Sequence, residues 1–191
     1  MKNNGTALLE TDRLRLRRFT TTDIEQSFIN WASDSNSSKY IAYYPHKNKS
    51  DTENMINQWI QSYENKCTYI WAIEVKETGE VIGNISASVP FAALEICEIA
   101  YMLGSSWWHK GYALEALKKV LDYLFSHEDF YMVEAKYNIT NKASGKLLHK
   151  VGMKQDGILR HRRIDKESGE RNDLAICSLL KSEYANESKL S

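Results

Sequence analysis

Proline is nearly absent from this chain, at two positions in 191, and glycine is sparse at nine. That excludes a collagen-like rod, a Pro-rich linker array and a low-complexity disordered chain. Only three cysteines occur, Cys67, Cys97 and Cys177, far apart and without a C-x-x-C pair. They argue against a secreted disulfide framework and against a zinc site, and a reducing cytoplasm fits them. Net charge is missing too: 25 basic residues cancel 25 acidic ones, so no global field draws the chain to nucleic acid or to an anionic membrane. The longest uncharged run, Val81 to Leu94, is too short to span a bilayer, and the start M-K-N-N-G-T-A-L-L-E is too polar for a signal peptide. The expectation is a soluble cytoplasmic protein with neither nucleic acid nor membrane as a direct partner.

Missing motifs narrow the chemistry further. The chain has no G-x-x-x-x-G-K-[ST], no G-x-G-x-x-G and no G-x-S-x-G, which removes the common phosphate loops and the nucleophile elbow. His46, His109, His127, His149 and His161 show no ligand spacing, so no metal is expected. Neither an internal repeat nor a Gly/Ser linker divides the sequence, and 191 residues suffice for one well-packed domain.

What is present reads as a mixed α/β (α+β) pattern. Arg13 to Phe19 alternates Arg with Leu or Phe, a half-buried first strand whose arginines form a solvated face. Thr22 with Glu25, and Ser50 with Glu53, are capping-box signatures ahead of two amphipathic helices. Tyr69–Val75 and Val81–Val89 flank K-E-T-G-E as a hairpin, and a third strand covers Glu95–Leu103. A helix from about Gly111 to Ser126, a strand Tyr131–Tyr137, a helix from about Asn141 to Val151 and a hairpin around K-E-S-G-E complete the order. A polar tail covers 185–191, with fraying expected from about Tyr184. The order lacks the regular βαβ alternation of a doubly wound fold.

Chemistry concentrates in W-W-H-K-G-Y-A-L-E-A, Trp107 to Ala116, where a strand passes through a glycine turn into a helix. Amides at a helix start are unpaired and sit at the positive end of the macrodipole, which makes an anion cradle. Gly111 admits a phosphate close to the backbone, and Ala113 keeps the next turn slim.

Together with the residues before it, E-I-A-Y-M-L-G-S-S from Glu98, this stretch resembles the acetyl-CoA motif of the GNAT superfamily of N-acetyltransferases. More narrowly, it is similar to the RimJ/RimL branch, whose members acetylate protein amino termini. L-E-T-D-R-L-R-L-R-R-F, N-K-A-S-G-K-L-L-H-K-V-G-M and D-G-I-L-R followed by S-L-L-K-S-E-Y lie in the branch's order, and the likeness covers roughly residues 8 to 184. The resemblance implies a single-domain fold with a central, mostly antiparallel, splayed sheet flanked by helices.

It also implies acetyl-CoA as donor, its pyrophosphate on the backbone of Trp108, His109, Lys110, Gly111, Tyr112 and Ala113. Trp108 stands where the superfamily has Gln or Arg, and His109 where the branch commonly has glycine. A bulge at about Met102 and Leu103 would free main-chain groups for the pantetheine arm, and Asn141 and Ser144 match the branch's N-x-x-S. Asn141 is also well placed as an N-cap.

Glu98 matches the family's strand glutamate and is the candidate base, facing the acceptor cleft, while Glu95 is expected on the opposite, exposed side. Many members use a tyrosine as general acid where this chain has Leu148, so Ser144 or a water would serve the departing thiolate. Trp31, Tyr40, Tyr43 and Tyr44 fall where the superfamily places acceptor-side walls. Arg160, His161, Arg162 and Arg163 read as a solvated edge-strand cluster.

Acyl transfer needs a neutral nitrogen. Neutralising a lysine at pH 7 costs about 4.6 kcal/mol, and an α-amine about 1 kcal/mol. With one base available, that favours an α-amine: a protein or peptide N-terminus, of the ribosomal-protein type. A small amine and a non-catalytic acyl-CoA sensor are the alternatives. A monomer and a homodimer both fit.

Overall fold

In Leu14–Arg17 the two leucines are fully buried and the arginines point the other way, so the strand is amphipathic as its alternation requires. This computed structural model describes residues 1–41 and 44–187. Its strands are β1 (Leu9–Glu10), β2 (Leu14–Arg17), β3 (Tyr69–Val75), β4 (Val81–Phe91), β5 (Ile96–Leu103), β6 (Met132–Asn138), β7 (Lys154–Ile164) and β8 (Arg171–Leu180). They form one sheet in the order β1-β2-β3-β4-β5-β6-β8-β7. Among the described residues only β5 and β6 are parallel neighbours.

The arginines of β2 are not simply solvated. Arg15 and Arg17 reach Glu74 of β3 at 2.7 and 2.5 Å, and Arg17 also pairs with the buried Asp23 at 2.7 Å. The strand ends at Arg17 because the chain turns there. Phe19 goes into the core, and the Thr20 amide donates to Asp23 at 2.8 Å. The first capping box thus closes on Thr20 and Asp23, not on Thr22 and Glu25. From it run a 3-10 turn, α1 (Ile24–Ser27) and a π turn Phe28–Ala32. α2 (Ser35–Ser38) follows, and α3 (Lys49–Ser62) starts at Asn48, whose side chain caps the Asp51 amide at 3.1 Å, rather than at Ser50.

α1, α2 and α3 cover one face of the sheet through Phe19, Trp31, Ile56, Ala72 and Met102. α4 (Tyr112–Asp122) and α5 (Lys142–Lys150) cover the other, over Ile85, Cys97, Ile99, Val133 and Cys177. The C-terminal segment is more ordered than its polarity suggests: α6 (Lys181–Glu187) stacks Tyr184 on Phe125 at 5.0 Å and hydrogen-bonds it to Asp122 at 3.0 Å. Residues 188–191 of the expected tail lie outside the described residues. Among the described residues no helix is long and apolar enough to cross a membrane.

Candidate active site

Two features of the sheet build the site. The first is a parting of strands. β5 pairs with β6 from Ile96–Met132 to Ile99–Ala135 and no further. Beyond that point β5 stays on β4, Ala100 opposite Ser86 and Leu103 opposite Gly83. β6 runs on with β8, Lys136 opposite Ile176 and Asn138 opposite Leu174.

A wedge therefore opens between β5 and β6 without the bulge expected at Met102 and Leu103. Gly83 explains why β5 keeps to β4: a Cβ there would sit 2.1 Å from the Met102 carbonyl oxygen, so the two backbones approach as only glycine allows. The irregularity in this pair lies at the opposite end, between Ser88 and Phe91, where Pro90 has no N–H to give the ladder.

The second feature is the turn from β5 into α4. Asp34, the N-cap of α2, accepts from the Ser105 amide at 2.7 Å and so ties the turn to the opposite layer. Burial alone would raise the Asp34 carboxyl, but the Ser105 and Asn36 amides hold it below the usual range. The Trp108 indole donates to the Leu103 carbonyl at 2.9 Å. His109 (φ +61°) and Gly111 (φ +84°) are both left-handed, so His109 takes a glycine-like backbone with its imidazole exposed. The α4 ladder starts with the Glu115 amide on the Gly111 carbonyl at 3.1 Å. The amides ahead of it point out of the helix start, the donor array that suits an anion.

Arg13 braces this turn from β2's side, a role the sequence reading did not assign. Its guanidinium donates to the Lys110 carbonyl at 3.0 Å, pairs with Glu115 at 2.6 Å and lies 4.6 Å over the Tyr112 ring. Burial pushes the Glu115 carboxyl up, but hydrogen bonds from Thr11 and Arg13 outweigh it and hold the group ionised below its usual range. A pocket of about 380 Å³ is lined by Arg13 and Tyr112 together with Val75 and Lys76.

Around the point where the strands part, the expected residues divide between the two faces of the sheet. Ser144 sits in the first turn of α5, its amide capped by the Asn141 side chain at 3.2 Å, and its hydroxyl meets the Tyr101 hydroxyl at 2.8 Å. Asn141 is thus the N-cap of α5, through its side-chain oxygen. Leu148, one turn further, is buried in the core. Glu98 points to the opposite face from Tyr101, where its carboxylate pairs with Lys136 of β6 at 2.6 Å, both side chains about 30% exposed. Glu95 precedes the strand with a left-handed backbone and is exposed.

The acceptor-side aromatics also divide. Trp31 is core, fully buried and stacked on Trp59 at 6.3 Å, because the π turn rotates it inward. Tyr40 and Tyr44 instead meet the β7–β8 hairpin. Arg163 donates to the Tyr40 carbonyl, the Tyr44 hydroxyl to the Lys166 carbonyl at 3.1 Å, and Lys166 to the Ser38 carbonyl at 2.7 Å. Tyr43 lies outside the described residues. Of the basic cluster, Arg160, His161 and Arg162 are exposed in a register shift between Leu159 and Arg163, while Arg163 turns inward.

Residues 13–154 match the acetyltransferase (GNAT) domain. This chain is a GNAT-family N-acetyltransferase. It is 36% identical over 179 residues to the uncharacterized N-acetyltransferase p20 of Bacillus licheniformis, covering 93% of this chain and 98% of that one. The [ribosomal protein uS5]-alanine N-acetyltransferase of Escherichia coli strain K12 is more distant, 27% identical over 104 residues, 54% of this chain and 52% of that one. Among solved structures, a GNAT-family acetyltransferase from Bacillus anthracis superposes with a TM-score of 0.81 at 24% identity, over 93% of this chain and 100% of that one. The microcin C7 self-immunity acetyltransferase MccE, solved with acetyl-CoA and AMP, gives 0.77 at 22% identity, over 89% and 93%. The GNAT acetyltransferase thus has the mixed, mostly antiparallel sheet and flanking helices that the resemblance implies.

Proposed function

We propose that this enzyme moves the acetyl group of acetyl-CoA onto a primary amine, and that the acceptor is the α-amine of a protein or peptide N-terminus. The observation that carries the donor reading is the turn at His109 and Gly111, whose two left-handed residues aim main-chain amides out of the α4 N-terminus. Trp108, His109, Lys110, Gly111, Tyr112 and Ala113 would hold the pyrophosphate by main-chain donors. Met102 and Leu103, on the β5 side of the wedge, would line the pantetheine arm.

When bound, acetyl-CoA supplies the activated acyl group. Transfer forms a nitrogen–carbon bond and breaks the carbon–sulfur bond, the sulfur keeping the electron pair. In this reading Glu98 receives the amine proton, directly or through one water, and Lys136 at 2.6 Å holds the carboxylate in position. Ser144 supplies a hydroxyl donor to the departing sulfur, since Leu148 cannot.

Support for an α-amine is twofold. A single carboxylate base suits an amine that costs about 1 kcal/mol to neutralise better than one costing about 4.6 kcal/mol, and a distant relative bears the name of a ribosomal-protein alanine acetyltransferase. A small amine is the second reading, favoured by the ties from Arg163, Lys166 and Tyr44 that draw the β7–β8 hairpin over the acceptor side. Calorimetry with acetyl-CoA tests the donor. A thiol-release assay across peptides with free and blocked N-termini, lysine side chains and small amines tests the acceptor. Turnover confined to small amines would overturn the N-terminal assignment, and absence of acetyl-CoA binding would overturn the donor.

A further inference from the structure

Tyr101 is a mostly enclosed phenol on the α5 side of β5, and its hydroxyl lies 2.8 Å from that of Ser144. A hydroxyl pair of this kind has two arrangements: one oxygen donates and the other accepts. Which one holds decides whether Ser144 has a proton to offer elsewhere. Burial pushes the Tyr101 phenol up to about 12, against a smaller downward pull from Ser144. The phenol therefore keeps its proton at every working pH. It is also the stronger acid of the two hydroxyls, and so the better donor.

Resting on the role given to Ser144 above, we propose that Tyr101 is a positioning residue: it donates to the Ser144 oxygen, which commits the Ser144 proton to the leaving sulfur of the thioester. The phenol does not give up its proton. As the carbon–sulfur bond breaks and the sulfur takes the electron pair, the Ser144 hydroxyl is already turned toward the growing charge, so no reorientation is needed. The Asn141 cap fixes the other end of the serine, through its amide at 3.2 Å. Tyr101 thus holds the serine's side chain while Asn141 holds its backbone, and the pair of hydroxyls polarises in one direction.

Binding of the free thiol tests this without knowledge of the acceptor. A donor aimed at sulfur favours the thiolate, so the affinity for CoA, measured by calorimetry against dethio-CoA, should rise with pH. Dethio-CoA cancels every other titrating group, including Cys177 of β8 and Tyr137 of β6, both held above their ordinary values by burial.

A hydrogen bond to a charged group predicts a gain of about tenfold in the CoA to dethio-CoA affinity ratio between pH 7 and 9.5. Ser144→Ala should abolish that gain. Tyr101→Phe should leave about threefold or less, and the double variant should be no worse than Ser144→Ala alone. Melting temperatures establish that the variants fold. If Tyr101→Phe keeps the full gain while Ser144→Ala loses it, the proposal falls and the serine acts unaided. If the wild type shows no gain although it binds acetyl-CoA, both hydroxyl roles fall. If it binds neither thiol nor thioester, the donor reading itself has failed.

Discussion

Gly111→Ala is the sharpest test of the donor turn, because two physical effects oppose each other there and their sum is small enough to measure. Gly111 sits at φ +84° and ψ −5°, where a side chain costs about 1–2 kcal/mol. Replacing glycine restricts the unfolded chain and returns about 0.4–1 kcal/mol. The new Cβ would lie 3.2 Å from an Arg13 guanidinium nitrogen, the far end of a flexible side chain, so contact adds little. The net is a destabilisation of about 1 kcal/mol, or a drop of about 2–4 °C in Tm for a chain of this size.

Binding should suffer more than folding. The same methyl stands beside the first amides of α4, where a phosphate must come close, and moving Arg13 disturbs the Lys110 carbonyl it holds at 3.0 Å. Two misaligned charge-assisted hydrogen bonds, at about 1.5 kcal/mol each, weaken acetyl-CoA binding by about a hundredfold. Calorimetry and a thermal melt on the same preparation read both. A variant that loses the expected few degrees yet binds acetyl-CoA with wild-type affinity would refute the cradle. One that keeps its Tm would refute the left-handed turn.

His109→Gly should move the other way: the strained left-handed backbone at φ +61° is relieved while glycine costs unfolded-state entropy, so Tm should stay within about 2 °C. Acetyl-CoA affinity should hold within about twofold; a large gain would show that the imidazole obstructs the turn. Glu98→Gln should leave that affinity intact and lower turnover by about ten- to a thousandfold, and unchanged turnover across the pH range would remove Glu98 from proton transfer. Glu128→Gln addresses stability. This fully buried carboxylate accepts from the Tyr69 hydroxyl at 2.7 Å, the Tyr123 hydroxyl at 2.9 Å and the Asn4 amide at 3.0 Å. Burial raises its carboxyl, but those donors hold it below the usual range. A depressed folded value contributes stability that is present above the unfolded value, about 4.3, and is lost as pH falls through the folded one. The variant should therefore lose about 2–4 kcal/mol at pH 7 in urea unfolding and show a flatter acid limb; an unchanged acid limb would mean that other carboxylates carry it.

The elements were legible where periodicity and packing agree. β3, β4 and α4 carry buried faces that their sequences declare, and each lies where its pattern predicts. Boundaries slipped where a side chain further up the chain took the capping role. Thr20 and Asn48 start their helices two residues ahead of the expected caps, because hydrogen-bond geometry chooses among several competent residues and spacing does not. The arginines of β2 look solvated in one strand, yet Glu74 faces them from the next, and only register brings those three together. Tyr184 reads as tail until Phe125 offers it a ring to stack on.

The site divides along the same line. A run of local residues such as Trp107 to Ala113 can be read directly, since the turn, its glycine and the helix it opens are contiguous. Pairings across the wedge cannot: Tyr101 and Ser144 are 43 positions apart, and they meet only because β5 leaves β6 after Ile99 while α5 packs across the gap. Glu98 illustrates the limit from the other side. Its strand position is visible, but the lysine it pairs with stands on β6, one register step beyond the last paired residue, Ala135. Removing that lysine, as Lys136→Met, should leave the fold intact, because an ion pair this exposed contributes about 1 kcal/mol or less. It should lower turnover, because the Glu98 carboxylate loses the contact that holds it in place, without changing acetyl-CoA affinity. If instead Lys136→Met turns over at the wild-type rate, the contact from β6 does not position Glu98, and whatever aims that carboxylate at the amine must come from its own strand.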